Sequence, residues 1–221
     1  MSNNPAHNSA YNAEGRPLVI SDCDEVLLYM VSHFRDWLDE TQDIAFHLEG
    51  NDFSNALKRK EDGEPVEQKE IWRLLNGFFD TEMGRQDPIP GAVEAILALK
   101  EHADVVILTN LLDERREMRA AQLQAVGIEA KVYTNQGPKG PAIAAILEEY
   151  RPSHAIFIDD LAQHHGSAKD TVPHVTRLHL CGEPSLAPHI TCGEKEGHAH
   201  ARIDTWDEAL PWIMNKLKEA A

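Results

Sequence analysis

Short apolar segments alternate with helical segments along most of this chain. Five of them have the length and composition of buried strands, at residues 18–21, 105–108, 131–134, 155–158 and 175–180. Amphipathic helical patterns separate several of these segments, as in the stretch that begins at Gly140-Pro141. Parallel strands joined by helices require right-handed crossovers, so the sequence predicts an α/β fold with a doubly wound, Rossmann-like parallel sheet.

Polar side chains stand directly after three of the predicted strands. They are Asp22 and Asp24, Thr109 and Asn110, and Asp159 and Asp160. Ligands of doubly wound sheets bind outside the carboxyl ends of the strands. We therefore expect these six side chains to share one edge of the sheet and to form a site there.

The first polar pair lies in the stretch Asp22-Cys23-Asp24. In an extended backbone residues i and i+2 point to the same side, so the two carboxylates can converge. Two like charges at that distance are unfavourable unless a cation or a shared proton relieves them. By itself the pair is weak evidence for a site and favours a strand that ends in a polar turn, because Asp is common in turns.

Charge and composition narrow the class of partner. The chain has 221 residues, 42% of them hydrophobic, and a formal net charge of -16. This charge argues against nucleic acid and against an anionic membrane as partner, but a bound metal would still admit a small anionic substrate. Three cysteines, a polar start and the lack of a long apolar run predict a cytoplasmic protein. A monomer and a homodimer both remain open as its oligomeric state.

The pattern also suggests how the chain is divided. Residues 1–16 are predicted to be a flexible N-terminus, and residues 17–27 and 88–221 to form the α/β core. Between them, residues 28–87 show two amphipathic helical patterns and are predicted to be a small helical cap, with a loop or short helical piece over 48–64.

The motifs in order resemble the haloacid dehalogenase superfamily of phosphohydrolases. The matching pieces are Asp22-Cys23-Asp24, Leu108-Thr109-Asn110, Lys139 after Gly137-Pro138, and Ile158-Asp159-Asp160, which together span about residues 17–165. The resemblance implies a capped phosphatase that removes phosphate from a small phosphorylated metabolite. It also implies a Mg²⁺ cofactor, for which carboxylate oxygens are suitable ligands.

The resemblance assigns a role to each matching residue. Asp22 would be the nucleophile that forms an aspartyl-phosphate, and Asp24 would move protons to the leaving alcohol and from water. Thr109, with Asn110, would bind the phosphate, and Lys139 would offset its charge. The resemblance also gives the metal ligands and the supporting residues. The ligands would be Asp22, the backbone carbonyl of Asp24, and Asp160, with Asp159 and His164 in support.

Two residues depart from what is common in such proteins. Glu25 follows the second carboxylate where many relatives have Gly, and His164 stands where many have Asp or Asn. These departures keep open a non-catalytic or weakly active regulatory protein that binds phosphorylated ligands. The Asp24-Glu25 step leaves a protein phosphatase as a further alternative, although a cap-sized insert argues against it.

Two further sets of residues were considered. Substrate contacts from the cap are predicted at Phe46, His47, Trp72 and Arg73, with cap core or solvated surface as the alternative. The tail holds Cys181, His189, Cys192, His198 and His200, but their spacing fits no standard zinc pattern. A polar surface loop is the interpretation of this tail.

Overall fold

The structure is a computed structural model that describes residues 15–48 and 55–219. In chain order its elements are β1 (Leu18–Ser21), α1 (Val31–Thr41), β2 (Ile44–Phe46), β3 (Leu57–Arg59), α2 (Gln68–Thr81), α3 (Ala92–Lys100), β4 (Asp104–Thr109), α4 (Arg116–Ala125), β5 (Lys131–Thr134), α5 (Gly140–Tyr150), β6 (Ala155–Asp159), α6 (Ala162–Thr171), β7 (Thr176–His179), β8 (Ala201–Arg202) and α7 (Trp206–Glu219). The predicted flexible N-terminus lies almost entirely outside the described residues.

The main sheet contains six strands in the order β5-β4-β1-β6-β7-β8. Every neighbouring pair is parallel. The predicted α/β fold with a doubly wound parallel sheet is therefore confirmed. The sequence analysis did not find β8, which has two half-buried residues and no apolar pattern of its own.

Side chains of each strand alternate between the two faces of the sheet. In β1, Val19 shares a buried core with residues of α3 and α7. Its neighbours Leu18 and Ile20 share the opposite core with residues of α5 and α6. Because both faces are covered by helices, the strands read as continuous apolar runs and not as alternating ones.

The segment predicted as a cap has a core of its own. Helices α1 and α2 pack together through Phe34, Leu38, Leu74 and Phe78, all buried. The rings of Phe34 and Phe78 meet edge to face, with 5.4 Å between centroids. Aromatic pairs in this geometry stabilise a small core beyond the area that they bury.

The cap also contains a two-stranded sheet. Strands β2 and β3 pair in antiparallel register, with Phe46 opposite Leu57. The prediction of a loop or short helical piece over residues 48–64 was therefore wrong for Leu57–Arg59. Leu57 is 3% exposed and belongs to the cap core. One buried side chain in three strand residues gives no periodicity that a sequence can reveal.

No helix among the described residues is both long enough and apolar enough to span a membrane.

Candidate active site

A buried lysine stands at the centre of the carboxyl edge of the sheet. The Nζ atom of Lys139 lies 2.8 Å from Asp22 Oδ1 and 2.7 Å from Asp159 Oδ2. Lys139 and Asp159 are completely buried, and Asp22 is nearly so. The edge predicted from the ends of β1 and β6 thus brings together residues that are 117 and 20 positions from Lys139 in the chain.

The close contact of α5 with α6 fixes where Lys139 lies. Lys139 immediately precedes α5, and the backbone N–H of Gly140 donates to Ser167 Oγ at 3.0 Å. A Cβ atom at position 140 would collide with the Ser167 carbonyl oxygen. Glycine is required here because the two helices approach each other at this point.

The ionisation of Asp22 reflects two opposing effects. Burial raises the pKa of Asp22 to about 7, while the Lys139 ammonium acts in the opposite direction. The same Asp22 Oδ1 accepts a hydrogen bond from the Cys23 backbone at 2.7 Å. Asp159, whose carboxylate accepts from Lys139 and from the Leu161 N–H, has a lowered pKa.

Three buried carboxylates lie within reach of one ion. Oxygen atoms of Asp22, Asp159 and Asp160 lie within 4.8 Å of one another, the only such group in residues 15–48 and 55–219. Burial and the neighbouring carboxylates raise the pKa of Asp160 well above its usual value. A cation bound among these carboxylates would relieve their mutual repulsion. The all-oxygen, buried donor set fits Mg²⁺.

The hydroxyl of Thr109 ends β4 at the same edge. Thr109 is fully buried, and its Oγ1 has no hydrogen-bond partner among the described residues. A buried hydroxyl without a partner is unfavourable by itself, and a ligand oxygen placed beside it would accept its hydrogen bond. The side chain of Asn110 is occupied, because it donates to Gly137 O at 3.1 Å and accepts from Asn135 at 2.9 Å. It ties the Thr109 loop to the loop that carries Lys139.

The carboxylate of Asp24 is held by a residue that the sequence analysis missed. Arg119 of α4 is completely buried, and its Nη2 lies 2.9 and 3.1 Å from the two Asp24 oxygens. Gln86 Nε2 adds a contact to Asp24 at 3.2 Å and also donates to Tyr29 O at 3.1 Å. Asp24 is therefore linked to the core through Arg119. Through Gln86 it is linked to the segments that lead into and out of the cap.

Glu25 has a structural role that the sequence did not indicate. Its backbone is left-handed, with φ at 61°, a conformation that suits the glycine common in relatives. Its buried carboxylate turns to the start of α1, where Oε1 accepts from the N–H groups of Met30 and Val31 at 3.0 and 2.5 Å. Glu25 thus caps helix α1 from within the loop that follows β1.

Replacing Glu25 should separate this capping from the charge of the carboxylate. At pH 6 we expect the free energy of unfolding of Glu25→Ala to be about 1–2 kcal/mol lower than that of Glu25→Gln, because only glutamine keeps the capping oxygen. Urea denaturation of the two variants and the wild type measures this difference. Equal urea midpoints for the two variants would contradict the capping role.

The pH dependence of stability in the wild type and Glu25→Gln gives a second test. Burial raises the folded-state pKa of Glu25 from 4.5 to about 8, against the backbone hydrogen bonds from Val31 and Met30. The folded wild type then holds a proton that the unfolded chain has released, so its stability falls as the pH rises through this window. Glu25→Gln does not titrate and should gain stability relative to the wild type between pH 6 and pH 9.

Two neighbouring histidines of α6 are buried beside the carboxylates. His164 Nε2 lies 3.4 Å from Asn110 Nδ2, and its Nδ1 has no partner among the described residues. Burial lowers the pKa of His164, so the ring is neutral at neutral pH. His165 Nε2 contacts the Asp159 backbone oxygen at 2.9 Å, and its ring stacks on that of His179.

The tail is less simple than a polar surface loop. Cys181, Leu186, Ala187 and Ile190 are buried together and pack against residues of the cap. The described residues contain no group of three metal ligands in this tail. The surface-loop interpretation was therefore wrong for the buried half of this tail.

The predicted cap contacts lie in different places. Phe46 and His47 line a cavity of about 240 Å³ on the outer side of α1, with no catalytic candidate among the residues that line it. Trp72 instead lines two clefts that also contain residues next to Asp160 and Thr109. Arg73 is exposed and pairs with Glu70 at 3.3 Å.

Comparison with known proteins supports the fold. No protein-family model and no curated protein matches the sequence. Solved structures match over most of the chain. A haloacid dehalogenase-like family hydrolase from Streptococcus pneumoniae has a TM-score of 0.60 at 13% identity, covering 89% of this chain and 97% of its own. A predicted phosphoglycolate phosphatase from Haemophilus somnus has a TM-score of 0.55 at 14% identity, with 87% and 96% covered.

A third match shows the same architecture. A HAD-superfamily hydrolase from Geobacter sulfurreducens has a TM-score of 0.56 at 15% identity, covering 91% of this chain and 99% of its own. Identities this low carry the fold and not the activity. The chain has the haloacid dehalogenase-like fold that its four motifs predicted.

Proposed function

We propose that this protein is a Mg²⁺-dependent phosphohydrolase that removes phosphate from a small phosphorylated metabolite. The observation that carries the proposal is Lys139, buried between Asp22 and Asp159 at the carboxyl edge of the sheet. A lysine ammonium is expensive to bury and is kept in such a place where negative charge gathers during a reaction. The phosphatase named among the structural matches is consistent with this reaction class.

In the first step, a carboxylate oxygen of Asp22 attacks phosphorus and the bond from phosphorus to the alcohol oxygen breaks. The phosphoryl group is then carried by Asp22, while the Asp24 carboxyl gives a proton to the departing oxygen. Asp24 is bound to Arg119 and Gln86, so it must exchange part of these contacts for the leaving oxygen. The Thr109 hydroxyl donates its unused hydrogen bond to a phosphoryl oxygen.

In the second step, Asp24 takes a proton from water, which attacks phosphorus and releases inorganic phosphate and the free Asp22 carboxylate. Lys139 keeps its ammonium beside Asp22 throughout and offsets the charge of the phosphoryl oxygens. Asp22, Asp160 and the Asp24 backbone carbonyl would hold Mg²⁺, with Asp159 orienting Lys139. When bound, the ion neutralises the ester and the carboxylate that attacks it.

A phosphate-release screen tests the proposal. The purified protein with Mg²⁺ should release phosphate from at least one group among sugar phosphates, nucleotides, phosphoglycolate and phosphoamino acids, and EDTA should stop the release. The ion relieves the repulsion between Asp22 and the ester, so we expect the rate to fall by at least about 10³-fold without it.

The screen also separates the alternatives. Hydrolysis restricted to phosphopeptides and phosphoproteins would favour a protein phosphatase. Binding of phosphate esters without any release, measured by calorimetry in the presence of Mg²⁺, would favour a regulatory protein. The capping role of Glu25 supports the enzyme, because this departure from the usual residue directs its carboxylate to α1.

A further inference from the structure

Helix α2 of the cap carries an exposed tryptophan next to the core. The side chain of Trp72 is 59% exposed, the most open of the large hydrophobic side chains in residues 15–48 and 55–219. Together with Leu75, one turn along, it lines two clefts. Trp72 and Leu75 thus form an apolar wall that both clefts share, and apolar cleft walls are typical of sites that bind a ligand.

Both clefts begin beside the candidate catalytic residues. The larger one, about 740 Å³, is bounded on the core side by Leu161 and Ala162, which directly follow Asp160. The smaller one, about 290 Å³, is bounded by Asn110, which directly follows Thr109. Each cleft thus includes a residue one position from Asp160 or Thr109, and the alcohol part of an ester bound at these residues would extend toward the clefts that Trp72 shares.

The charges of the clefts limit which alcohol can bind there. Among the described residues, no Lys or Arg lines the larger cleft, and its one carboxylate is that of Glu196. Arg115 lines the smaller cleft, but Asp80 binds its guanidinium at 2.7 and 2.9 Å and Asn76 at 2.8 Å. The larger cleft also contains the imidazoles of His189 and His198, but a second carboxylate or phosphate on the substrate would find no unpaired ammonium or guanidinium on either side of Trp72.

The remaining cleft walls are apolar or neutral. Leu75 and Ile190 line the larger cleft, and Phe79 and Leu112 line the smaller one. Such walls bind flat apolar groups through burial of area, and an indole adds ring stacking. We propose, on the basis of the proposed function, that the substrate is a phosphate monoester of an uncharged alcohol with an aromatic or other flat apolar group that packs on Trp72.

Three esters of similar chemical reactivity test the inference. They are 2-phenylethyl phosphate, glycerol 3-phosphate and 3-phosphoglycerate, which differ in apolar surface and in charge. With Mg²⁺, kcat/KM should be at least about 100-fold higher for 2-phenylethyl phosphate than for 3-phosphoglycerate. Trp72→Ala should lower kcat/KM for the aromatic ester by about 10- to 100-fold, and Trp72→Phe should restore most of it.

Two controls make the result specific. Leu97→Ala removes another exposed apolar side chain, on α3, and should leave all three substrates unchanged. Trp72→Ala should change kcat/KM for glycerol 3-phosphate by less than about threefold, because glycerol has no apolar surface to lose. Equilibrium binding of 2-phenylethyl phosphate to Asp22→Asn, with and without Trp72→Ala, gives a readout that needs no turnover.

The outcomes separate this inference from the proposed function. Turnover that prefers 3-phosphoglycerate, or that ignores Trp72→Ala, overturns the inference and leaves the phosphohydrolase standing. Binding that depends on Trp72, with no turnover of these esters or of any ester in the phosphate-release screen, supports the cleft and overturns the proposed function. Absence of binding and turnover of the three esters overturns the inference, and it overturns the proposed function as well when the screen finds no substrate.

Discussion

Asp22→Asn is expected to abolish phosphate release. Asparagine keeps the size of the side chain but cannot attack phosphorus, so kcat should fall by at least about 10³-fold. The measurement is phosphate release with Mg²⁺ and the best ester from the screen. Release at more than a tenth of the wild-type rate would exclude Asp22 as nucleophile.

The folded state of Asp22→Asn should remain intact. Lys139 keeps Asp159 as partner at 2.7 Å, so no buried charge is left alone. Burial raises the folded-state pKa of Asp22 from 3.8 to about 7, and the stability linked to its proton is lost as the pH rises through that range. Asparagine does not titrate, so the variant should gain stability relative to the wild type between pH 5 and pH 8. Asp36→Asn, an exposed carboxylate on α1, is the matched control and should change neither quantity.

Trapping the covalent intermediate gives a second test of Asp22. Rapid acid quenching during turnover of an ester that is radiolabelled in its phosphoryl group should leave label on the wild-type protein. Asp22→Asn should carry none, because its amide forms no acyl phosphate. Label that persists in Asp22→Asn would place the covalent step on another residue.

The sheet and the cluster of polar side chains at its carboxyl edge could be predicted because their signals are local. The strand at 155–158 is apolar without interruption, and two carboxylates follow it directly. The carboxyl ends of parallel strands share an edge, so the position of Asp159 and Asp160 followed from the fold class alone. The placement of Lys139 beside them came from the family resemblance, and the structure gives its partners.

Other features of the site depend on contacts that no local pattern encodes. Arg119 reads as an exposed residue of an amphipathic helix, yet it is buried against Asp24, 95 positions away. Trp206 Nε1, in the last helix, donates to Val26 O at 2.7 Å and holds the loop that follows β1. Glu25 departs from the glycine that the family resemblance leads one to expect, which is consistent with its unusual φ but does not indicate its contact with α1.

The sequence indicates only in part which side chains of the cap line the clefts. Trp72 was one of four cap candidates, and periodicity gave no ground for choosing among them. The choice depends on which face of α2 packs inward. Leu74 and Phe78 fill the cap core, which leaves Trp72 and Leu75 on the face toward the clefts. That division depends on the position of α1, which a single helical pattern does not contain.

Lys139→Met should be the most destabilising single change at the site. It leaves Asp22 and Asp159 buried without their shared cation, and breaking such an arrangement costs about 3–5 kcal/mol. Phosphate release should fall by at least about 10³-fold as well, because preorganised charge beside the phosphoryl group is lost. Urea denaturation without Mg²⁺ measures the first effect.

Two further variants test whether the loss of stability in Lys139→Met comes from the buried charges. Lys131→Met removes an exposed lysine, 53% open and paired with Glu149, and should cost less than about 1 kcal/mol. Lys139→Met combined with Asp159→Asn should recover part of the loss, because one of the two stranded carboxylates is gone. Equal stability of Lys139→Met and Lys131→Met at pH 7 would contradict the buried ion pairs.

The loss of stability in Lys139→Met should also grow as the pH rises. Without the ammonium, burial and mutual repulsion raise the folded-state pKa values of Asp22 and Asp159, so the folded variant binds protons that the unfolded chain releases. Its stability is then greatest at low pH and falls as the pH rises through those raised values. The deficit against the wild type should therefore be smaller at pH 5 than at pH 8. A deficit that is constant over this range would mean that Lys139 stabilises the fold by packing its methylene chain and not by its charge.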